Sequence, residues 1–419
     1  MRAANANPET APLKYDTKTM SLPILRLKKG EDRRIRAGHT WIYSNEIDIA
    51  ATPLKNFSVG EEVLVQNHNK TFIGVAYINP HSLITARLFS HDITKRLDIA
   101  FFKNRFNEAL QLRTRLFDQP YYRLIFSEAD GLPGLVIDRF ANDYVVQTNT
   151  AGMELKQTIL QEALASSLSN ISSIQLRNDS PIRKHEGLEN YVRALYGSPP
   201  DSIQLEENGV CFLAPLSQGQ KTGWFYDHRL NRARLKAYVA NQKVLDVFSY
   251  LGGFGIQAAS FGATSVDCID ASRTACDFIT CNAKLNSVNN KVTIICDDAF
   301  DAMKRLLDTR TSYDVIILDP PAFVKKQKDR TEGLIAYQRL NELAIKLLVP
   351  GGILISCSCS MHVKLDDLMQ ILQRAAYRAG SEIQILERGH QGPDHPVHVA
   401  IPETDYLKAV FLRKLLKSC

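Results

Sequence analysis

The sequence predicts an α/β protein in which a doubly wound, mostly parallel sheet follows two smaller units. The main observation is a repeat from residue 243 to 379, where five apolar strand segments alternate with amphipathic helical segments. Strands connected through helices pair in parallel and are covered by helices on both faces. A second observation is a set of short strand patterns over residues 22–95, typical of a small β-barrel-like module. A third is a mixed helix and strand pattern over residues 97–200, which predicts a compact α/β unit.

The first module is predicted from four segments that alternate or run apolar and are rich in β-branched and aromatic residues. They are PILRL, EEVLVQN, FIGVAYIN and LITARLFS, and they are separated by turn residues such as Gly30, Gly38 and Gly60. The segment AGHTWIYSNEI lies between the first two strands and places Trp41 among basic residues. Its ring either stacks on nucleic-acid bases or fills the core, and the core interpretation is preferred.

The central unit begins with apolar residues at helical spacing over residues 97–116. Residues 122–147 follow as strand, turn and strand, with turn signals at Asp130-Gly131 and Pro133-Gly134. A helix over 153–168 and a strand over 173–177 complete the unit. A linker is predicted near residues 197–200, which contain Gly-Ser-Pro-Pro.

The last unit opens with a hairpin around Asn208-Gly209 and continues with the five strand-helix pairs. The predicted strands are VLDVFSY, SVDCID, VTIICDD, YDVIILDP and GILISCSCS, and the predicted helices cover 254–261, 272–286, 299–308, 333–348 and 364–379. The segments EIQILERG and AVFLRKLL are predicted to close the sheet as edge strands. We therefore expect a polar tail over 1–21 and three domains over 22–96, 97–200 and 201–419.

The composition is that of a soluble globular protein, with 419 residues, 45% hydrophobic and 23% charged. We find no apolar run of the roughly 20 residues that a membrane span needs. The first 20 residues are polar, unlike a signal peptide, so the expected location is the cytoplasm and no membrane partner is expected. The eight cysteines lack the spacing of a disulfide framework or a zinc site, so no metal is expected.

The positive charge is concentrated near the N-terminus. The net charge is +6, and almost the whole excess lies within residues 1–96, most densely over 26–36, which ends at Arg36. Clustered basic residues are the electrostatic signature of a polyanion partner. A solvated basic face without a partner explains the charge equally well.

A glycine-rich turn follows the first strand of the repeat and begins the next helix. Asp246, Phe248, Gly252 and Gly253 belong to this strand-to-helix turn, which brings backbone close to a ligand at the carboxyl edge of the sheet. The dinucleotide spacing G-x-G-x-x-G is not present. The next three strands also end in carboxylates, at Asp270, Asp297-Asp298 and Asp319. Such an acidic rim suits a sulfonium cation and would repel a pyrophosphate.

This arrangement resembles the class I S-adenosylmethionine-dependent methyltransferases. The resemblance implies a Rossmann-like fold with S-adenosylmethionine as the cofactor. It assigns Asp246, the glycine turn with Phe248, and Gly252-Gly253 to the methionine part. It also assigns Asp270 to the ribose and Asp298 to the adenine.

Two further segments indicate the methyl acceptor. Asp319-Pro320-Pro321 follows the fourth strand and precedes a basic run that starts at Lys325, and Ser358-Cys359-Ser360 ends the fifth strand. A cytosine carbon becomes nucleophilic at C5 when a thiolate adds to C6, and an acidic group near N3 assists the addition. Cys359 and Asp319 have suitable types and positions. The alternative is that Cys359 is a buried small apolar residue. Packing is the preferred role of Cys357, which otherwise could supply a second thiol.

With these residues, the chain resembles the bacterial large-subunit (23S) rRNA cytosine-5 methyltransferases that carry an N-terminal PUA domain. The resemblance covers about residues 22–419 and includes the segments RAGHTWIYS, SEADGLPGL, GQKTG, DHR, DPP, SCS and DHP. It implies an RNA-binding PUA module over 22–96 and ribosomal RNA as partner. It also implies that Lys221, Thr222 and Arg229 line the cofactor entrance. Substrate contacts are expected at Arg36, Trp41, Pro320, Pro321 and Lys325. The first 20 residues and Cys357 depart from the pattern.

Three hypotheses remain at this point. They are methylation of cytosine C5 in RNA, methylation of another base such as a guanine nitrogen with Cys359 idle, and a non-enzymatic RNA-binding assembly factor. The acidic rim argues against the third and Cys359 against the second. His395 lies in a proline-bounded loop where a structural role is at least as plausible as general base catalysis. The modified nucleotide, the acceptor of the C5 proton and the oligomeric state, for which a homodimer is one option, stay open.

Overall fold

The computed structural model describes residues 22–216, 219 and 222–415. The predicted tail over 1–21 and the predicted cofactor contact Lys221 lie outside the described residues. The first unit is a five-stranded sheet in the order β1-β3-β4-β5-β2. Its elements are β1 (Ile24–Arg26), α1 (Arg33–Arg36), β2 (Trp41–Tyr43), β3 (Glu62–Gln66), β4 (Phe72–Ile78) and β5 (Ile84–Ser90). The four predicted strands are confirmed, and β2 and the short α1 are additional.

The central unit is a second five-stranded sheet in the order β10-β9-β8-β7-β6. Its elements are α2 (Ile99–Leu116), β6 (Tyr121–Phe126), β7 (Leu135–Phe140), β8 (Asp143–Thr148), α3 (Ala151–Glu154), α4 (Gln157–Ser167), β9 (Ser173–Asn178) and β10 (Tyr191–Gly197). The helix predicted over 153–168 is divided between α3 and α4. Strand β10 was not predicted, because it is mostly exposed and its sequence carries little apolar alternation.

The third unit holds a hairpin and a seven-stranded sheet in the order β15-β14-β13-β16-β17-β19-β18. The hairpin strands are β11 (Ser202–Glu207) and β12 (Val210–Pro215), joined at the predicted Asn208-Gly209 turn. The sheet strands are β13 (Lys243–Val247), β14 (Ser265–Asp270), β15 (Val292–Cys296), β16 (Tyr313–Leu318), β17 (Leu348–Ser358), β18 (Ile383–Gly389) and β19 (Lys408–Lys414). The helices are α5 (Arg229–Ala233), α6 (Gly253–Ser260), α7 (Arg273–Leu285), α8 (Ala299–Asp308), α9 (Arg330–Leu347) and α10 (Leu365–Arg378).

The predicted doubly wound α/β fold is confirmed. Strands β13, β14, β15, β16 and β17 are parallel, as the strand-helix repeat requires. The strand order reverses beside β13, whose neighbours are β14 and β16. Ligands of open α/β sheets bind outside the carboxyl ends of the strands at such a reversal. The carboxyl ends of β13, β14, β16 and β17 therefore define the region to search for a site.

The prediction that AVFLRKLL forms an edge strand is wrong. Strand β19 lies between β17 and β18, antiparallel to both, and only β18 is at the edge. Its residues Ala409, Val410, Phe411 and Leu412 are all fully buried. A continuous apolar run is typical of a strand covered on both faces. The inner position places Lys408 opposite Ser358 of β17.

Buried polar contacts join the three units. Glu186 of the central unit accepts hydrogen bonds from Arg87 and Ser82 of the first unit, at 2.8 and 3.1 Å. Arg113 of α2 donates to the main-chain oxygen of Asp394 in the third unit, at 3.0 Å. Within the described residues, no helix combines the length and the apolar character that a membrane span requires.

Candidate active site

The turn after β13 adopts a left-handed backbone that brings the chain tightly around the end of the strand. Phe248, Tyr250 and Gly252 have φ values of 65°, 51° and 80°. A Cβ atom at Gly252 would lie 2.7 Å from a side-chain carbon of Ile256. At Gly255 an added Cβ would lie 2.5 Å from the Sγ of Cys268. Glycine is therefore required at both positions, because a side chain there would clash with Ile256 or Cys268 of the same protein.

Asp246 holds a buried carboxylate directly beneath this turn. Its Oδ2 accepts a hydrogen bond from the Gly255 N–H at 2.8 Å. Its Oδ1 is buried and accepts no hydrogen bond from any residue that the structure describes. Burial raises the pKa of Asp246 to about 7, and the neighbouring carboxylates of Asp319 and Asp270 add to the effect. Since an unpaired buried oxygen is costly, a ligand that brings a hydrogen-bond donor or a positive charge would stabilise this carboxylate.

Asp270 at the end of β14 fixes the same turn from the other side. Its Oδ2 accepts from the Tyr250 N–H and its Oδ1 from the Ser272 N–H, both at 2.9 Å. Burial raises the pKa of this half-buried group. Each carboxylate oxygen can accept a second hydrogen bond, so vicinal hydroxyl groups could still be bound here.

Asp298 has a structural role at the start of a helix. It is the N-cap of α8, and its Oδ1 accepts from the N–H groups of Phe300 and Asp301 at 2.9 and 3.2 Å. Its side chain is exposed. Phe323 lies 6.3 Å, between ring centroids, from both Phe248 and Phe300. The Phe248 and Phe323 rings are nearly perpendicular, at 72°, and the Phe300 and Phe323 rings are tilted by 34°, so the three form an apolar cluster.

Asp319, after β16, is paired with a histidine from a distant part of the chain. The Oδ1 of Asp319 lies 3.2 Å from the Nε2 of His228. The Sγ of Cys357 lies close to this pair. This sulfur, one imidazole nitrogen of His228 and one carboxylate oxygen of Asp319 all lie within 4.8 Å of one another. Cys357 is fully buried, and burial together with the negative charge of Asp319 raises the pKa of its thiol. A thiol in this environment stays protonated at neutral pH.

Cys359 lies just beyond β17, next to the two prolines that follow Asp319. Its Sγ is 4.0 Å from the main-chain oxygen of Pro320, and the side chain is half-buried. The parallel pairing of Leu318 with Ser356 brings the ends of β16 and β17 together. The structure therefore places Cys359 next to Asp319-Pro320-Pro321, as predicted. Pro320 is buried, whereas Pro321 and Lys325 are exposed.

Two residues expected at the cofactor entrance contact the central unit. Thr222 is fully buried, and its hydroxyl donates to Asp138 of the central unit. Arg229 is buried with its guanidinium 4.4 Å from the Phe117 ring centroid, and it donates to the Tyr121 main-chain oxygen. Both side chains serve the contact between the central and third units.

The expected substrate residues of the first unit are not adjacent to the glycine turn. Arg36 is half exposed and pairs with Asp32 one turn earlier, at 2.7 Å. Trp41 donates from its Nε1 to Glu128 of the central unit at 2.8 Å. His395 is buried, and its Nδ1 lies 3.0 Å from Asp394, so it supports the loop structurally.

Two residues of the site had been missed. His228 stands in the quoted segment Asp227-His228-Arg229, where no periodicity separates it from its neighbours. Lys408 begins β19, and its Nζ donates to the main-chain oxygens of Ser360 and Tyr406, both at 2.7 Å. A lysine before an apolar strand is common, so the sequence held no signal for it.

Two protein families match this chain. The family described as S-adenosylmethionine-dependent methyltransferase matches residues 153–413. The chain belongs to this family. A PUA-like domain family matches residues 25–91, which cover the first sheet except for Ile24. The predicted class I methyltransferase fold, the PUA-like module and the cofactor S-adenosylmethionine are therefore confirmed.

The relatives are similar over nearly their whole length. The Ribosomal RNA large subunit methyltransferase I of Citrobacter koseri is 36% identical over 394 residues, covering 93% of this chain and 98% of the relative. The protein of the same name from Aliivibrio fischeri is 36% identical over 392 residues, covering 92% and 98%. Among solved structures, SMU.776 in complex with SAH has a TM-score of 0.80 at 20% identity, covering 94% of this chain and 100% of that one. A methyltransferase fold from Streptococcus mutans has a TM-score of 0.79 with the same identity and coverage.

The residues at the carboxyl edge fit the cofactor of this family. S-adenosylmethionine carries a sulfonium and an ammonium group, and Asp246 offers an unpaired buried carboxylate oxygen. Its ribose hydroxyls can donate to Asp270, whose remaining lone pairs are available. When bound, S-adenosylmethionine would supply an electrophilic methyl group, and the methyl acceptor would bring a nucleophilic atom to it.

Proposed function

We propose that this methyltransferase transfers the methyl group to C5 of a cytosine in large-subunit (23S) ribosomal RNA. The observation that carries the proposal is the half-buried thiol of Cys359 beside the main-chain oxygen of Pro320. It lies on the sheet edge that also bears Asp246 and Asp270. The curated relatives, named as large-subunit ribosomal RNA methyltransferases, support the choice of RNA.

We assign the cofactor to the glycine turn and the first three strand ends. Asp246 balances the cationic methionine end, and Gly252 and Gly253 allow close approach of the backbone. Asp270 accepts from the ribose. The adenine then lies near the exposed Asp298 and the aromatic rings of Phe248 and Phe300. Asp298 also caps α8 with its carboxylate. The lone pairs that it can offer to the adenine are therefore those that face solvent.

On the acceptor side, Cys359 is the nucleophile. Its thiolate adds to C6 of the cytosine, and the electron pair of the C5–C6 double bond becomes available at C5. Asp319 lies near N3 and, in its protonated form, donates its proton to N3 as negative charge develops on the ring, and recovers that proton after methyl transfer. C5 then accepts the methyl group. Loss of the C5 proton and breakage of the S–C6 bond release the product and restore the thiolate.

RNA binding combines the PUA-like module and the surface next to Cys359. Arg36 and Lys325 are exposed and contact phosphates, while Pro320 and Pro321 keep an extended backbone along the target base. Trp41 is assigned a positioning role, because its indole N–H is bonded to Glu128. The target base must leave its stack to reach the half-buried thiol of Cys359.

The test is covalent trapping. Ribosomal RNA containing 5-fluorocytosine is incubated with the protein and S-adenosylmethionine, because fluorine at C5 blocks the elimination that releases the enzyme. Wild-type protein is expected to form an adduct stable to denaturing electrophoresis. Cys359→Ala should form none. Cys281→Ala, which removes an exposed thiol on α7, is the matched control and should behave as wild type.

The other outcomes separate the alternatives. Methylation of RNA without any adduct would mean that another atom, such as a guanine nitrogen, accepts the methyl group. Failure to methylate RNA while RNA still binds would favour a non-enzymatic assembly factor. Mapping the methylated nucleotide by mass spectrometry decides between the first two.

A further inference from the structure

The two serines of the segment Ser358-Cys359-Ser360 share a buried hydrogen-bond partner. Both side chains are buried, and their hydroxyl groups reach the same phenol, that of Tyr337 on α9. The Oγ of Ser358 donates to the Tyr337 hydroxyl at 3.1 Å, and the Oγ of Ser360 lies 3.0 Å from it. The main chain that carries the Cys359 thiol is therefore tied to α9 on both sides of the cysteine. The proposed reaction gives these hydroxyl groups no role of their own.

The Tyr337 hydroxyl connects the two serines as acceptor and as donor. It has a single proton, and since its oxygen accepts from Ser358, that proton is available for Ser360. Tyr337 is fully buried, and burial raises its pKa, so the hydroxyl keeps its proton. The Oγ of Ser360 also accepts from the Val324 N–H at 3.4 Å, in the loop that starts at Pro320. One hydroxyl therefore connects the strand end that carries the thiol with the loop that carries the two prolines.

Helix α9 approaches this loop closely because it contains a glycine. Gly333 and Tyr337 are four residues apart and therefore lie on the same face of the helix. A Cβ atom at Gly333 would lie 2.4 Å from a side-chain carbon of Val324 and 2.9 Å from the main-chain oxygen of Phe323. The ring centroids of Phe323 and Tyr337 are 4.8 Å apart. A phenylalanine at position 337 would keep this packing, so the hydroxyl is the part of Tyr337 that packing does not require.

We propose that Tyr337 is a positioning residue for the nucleophile: through the two serines, its hydroxyl holds the Cys359 thiol beside the main-chain oxygen of Pro320, where the addition to the base takes place. The inference rests on the proposed nucleophilic role of Cys359. Tyr337 acts through Ser358 and Ser360 and takes no part in making or breaking bonds. Addition to a pyrimidine C6 requires the sulfur and the carbon to approach to about 3–3.5 Å with their orbitals aligned, so a small displacement of the thiol slows the reaction.

The experiment measures how fast the covalent adduct forms. Full-length protein in excess is mixed with ribosomal RNA containing 5-fluorocytosine at saturating S-adenosylmethionine, and the adduct is followed over time by denaturing electrophoresis. Tyr337→Phe should lower the rate constant at saturating protein concentration by about 10-fold, because a displaced nucleophile attacks more slowly. The protein concentration that gives half of the maximal rate should stay at the wild-type value. The affinity for S-adenosylmethionine, measured by calorimetry, should also be unchanged, whereas a general loss of structure would weaken it.

Tyr313 provides a matched control at the opposite end of the sheet. It is fully buried and begins β16, and its hydroxyl donates to Asp267 at 2.6 Å. Tyr313→Phe removes a buried hydroxyl of the same kind from the same unit, so it should lower the midpoint of thermal unfolding at least as much as Tyr337→Phe does. The rate constant of adduct formation should nevertheless stay at the wild-type value. Equal slowing in both variants would indicate general destabilisation and would overturn the inference.

Ser360→Ala tests the same contact from the other side. It should slow adduct formation as Tyr337→Phe does, and the double variant should be slowed by less than the product of the two single effects, since both changes remove one contact. Ser360→Ala also carries the test if Tyr337→Phe does not fold. Wild-type rate constants in the folded single variants would refute the positioning role and leave the cytosine mechanism standing. Absence of an adduct with wild-type protein would refute the cytosine mechanism itself, and the inference with it.

Discussion

The imidazole of His228 donates from Nε2 to Oδ1 of Asp319 across 3.2 Å, and Asn231 fixes the tautomer that makes this possible. The amide oxygen of Asn231 accepts from Arg234, and its amide nitrogen lies 3.2 Å from both the Nδ1 of His228 and the main-chain oxygen of His390. The Nδ1 atom must therefore accept, which leaves the proton on Nε2. Asp319 is held in one orientation by a donor that lies about ninety residues earlier in the chain.

Replacing His228 should reduce the rate of methyl transfer more than cofactor binding. A hydrogen bond to a charged group contributes about 1.5–3 kcal/mol, so His228→Ala should lower kcat/KM by roughly 10–100-fold. The measurement is transfer of a labelled methyl group to ribosomal RNA, with S-adenosylmethionine affinity followed by calorimetry. His68→Ala, at an exposed histidine, is the control. Unchanged turnover in His228→Ala would show that the orientation of Asp319 by His228 does not contribute to methyl transfer.

Asp246 should make both stability and cofactor affinity depend on pH. Its pKa rises from 3.8 in the unfolded chain to about 7 in the fold, so the folded state binds more protons between these values. The free energy of unfolding of the cofactor-free protein should therefore fall as the pH rises from about 4 to about 7. Affinity for the cationic cofactor should increase over the upper part of this window, as the carboxylate ionises.

Asp246→Asn tests both effects in one variant. In this variant, the free energy of unfolding measured with urea should no longer show the fall with pH that Asp246 causes. The affinity for S-adenosylmethionine at pH 8 should also be weaker. The matched control is Asp277→Asn, where the carboxylate is exposed and paired with Arg273 on α7. Equal cofactor affinity of wild type and Asp246→Asn at pH 8 would show that the unpaired oxygen does not meet the cation.

Trp41 and Arg36 should separate a structural role from an RNA-binding role. Trp41→Phe keeps an aromatic ring but loses the hydrogen bond to Glu128. The free energy of unfolding should therefore fall by about 1.5–3 kcal/mol, and the midpoint of thermal unfolding should fall by a few degrees. RNA affinity should hardly change. Arg36→Gln should leave stability unchanged and reduce the slope of log affinity against log salt by about 0.7–1. A larger loss of RNA affinity in Trp41→Phe than in Arg36→Gln would reverse this assignment.

Glu186 should be essential for the contact between the first and central sheets. It is buried and pairs with Arg87 at 2.8 Å, and it also accepts from Asn79 at 3.0 Å. Glu186→Ala should destabilise the protein by about 3–5 kcal/mol, because it leaves a buried guanidinium without its counter-charge. Urea unfolding followed by circular dichroism measures the loss. Glu108→Ala removes an exposed partner of Arg105 and should change stability by less than about 1 kcal/mol.

Some features could be predicted because they depend on local periodicity. Each strand and helix of the repeat, the hairpin at Asn208-Gly209 and the glycine turn at Gly252 depend on residues that are consecutive in the chain. The prediction that AVFLRKLL forms an edge strand was wrong, because the order of strands in a sheet depends on how other elements cover it. Strand β10 was not predicted because its mostly exposed residues lack apolar alternation.

The sequence by itself determined the α/β fold, the S-adenosylmethionine family and the row of strand-end carboxylates, because parallel strands bring their carboxyl ends to one edge whatever the details of packing. Only the tertiary structure decided which partners these groups meet. It directed Thr222 and Arg229 to the central unit, brought His228 to Asp319, and inserted β19 so that Lys408 reaches the main chain after Cys359. Such contacts join residues far apart in the chain, and burial of a charge or thiol, which sets its chemistry, exists only once those distant elements have packed.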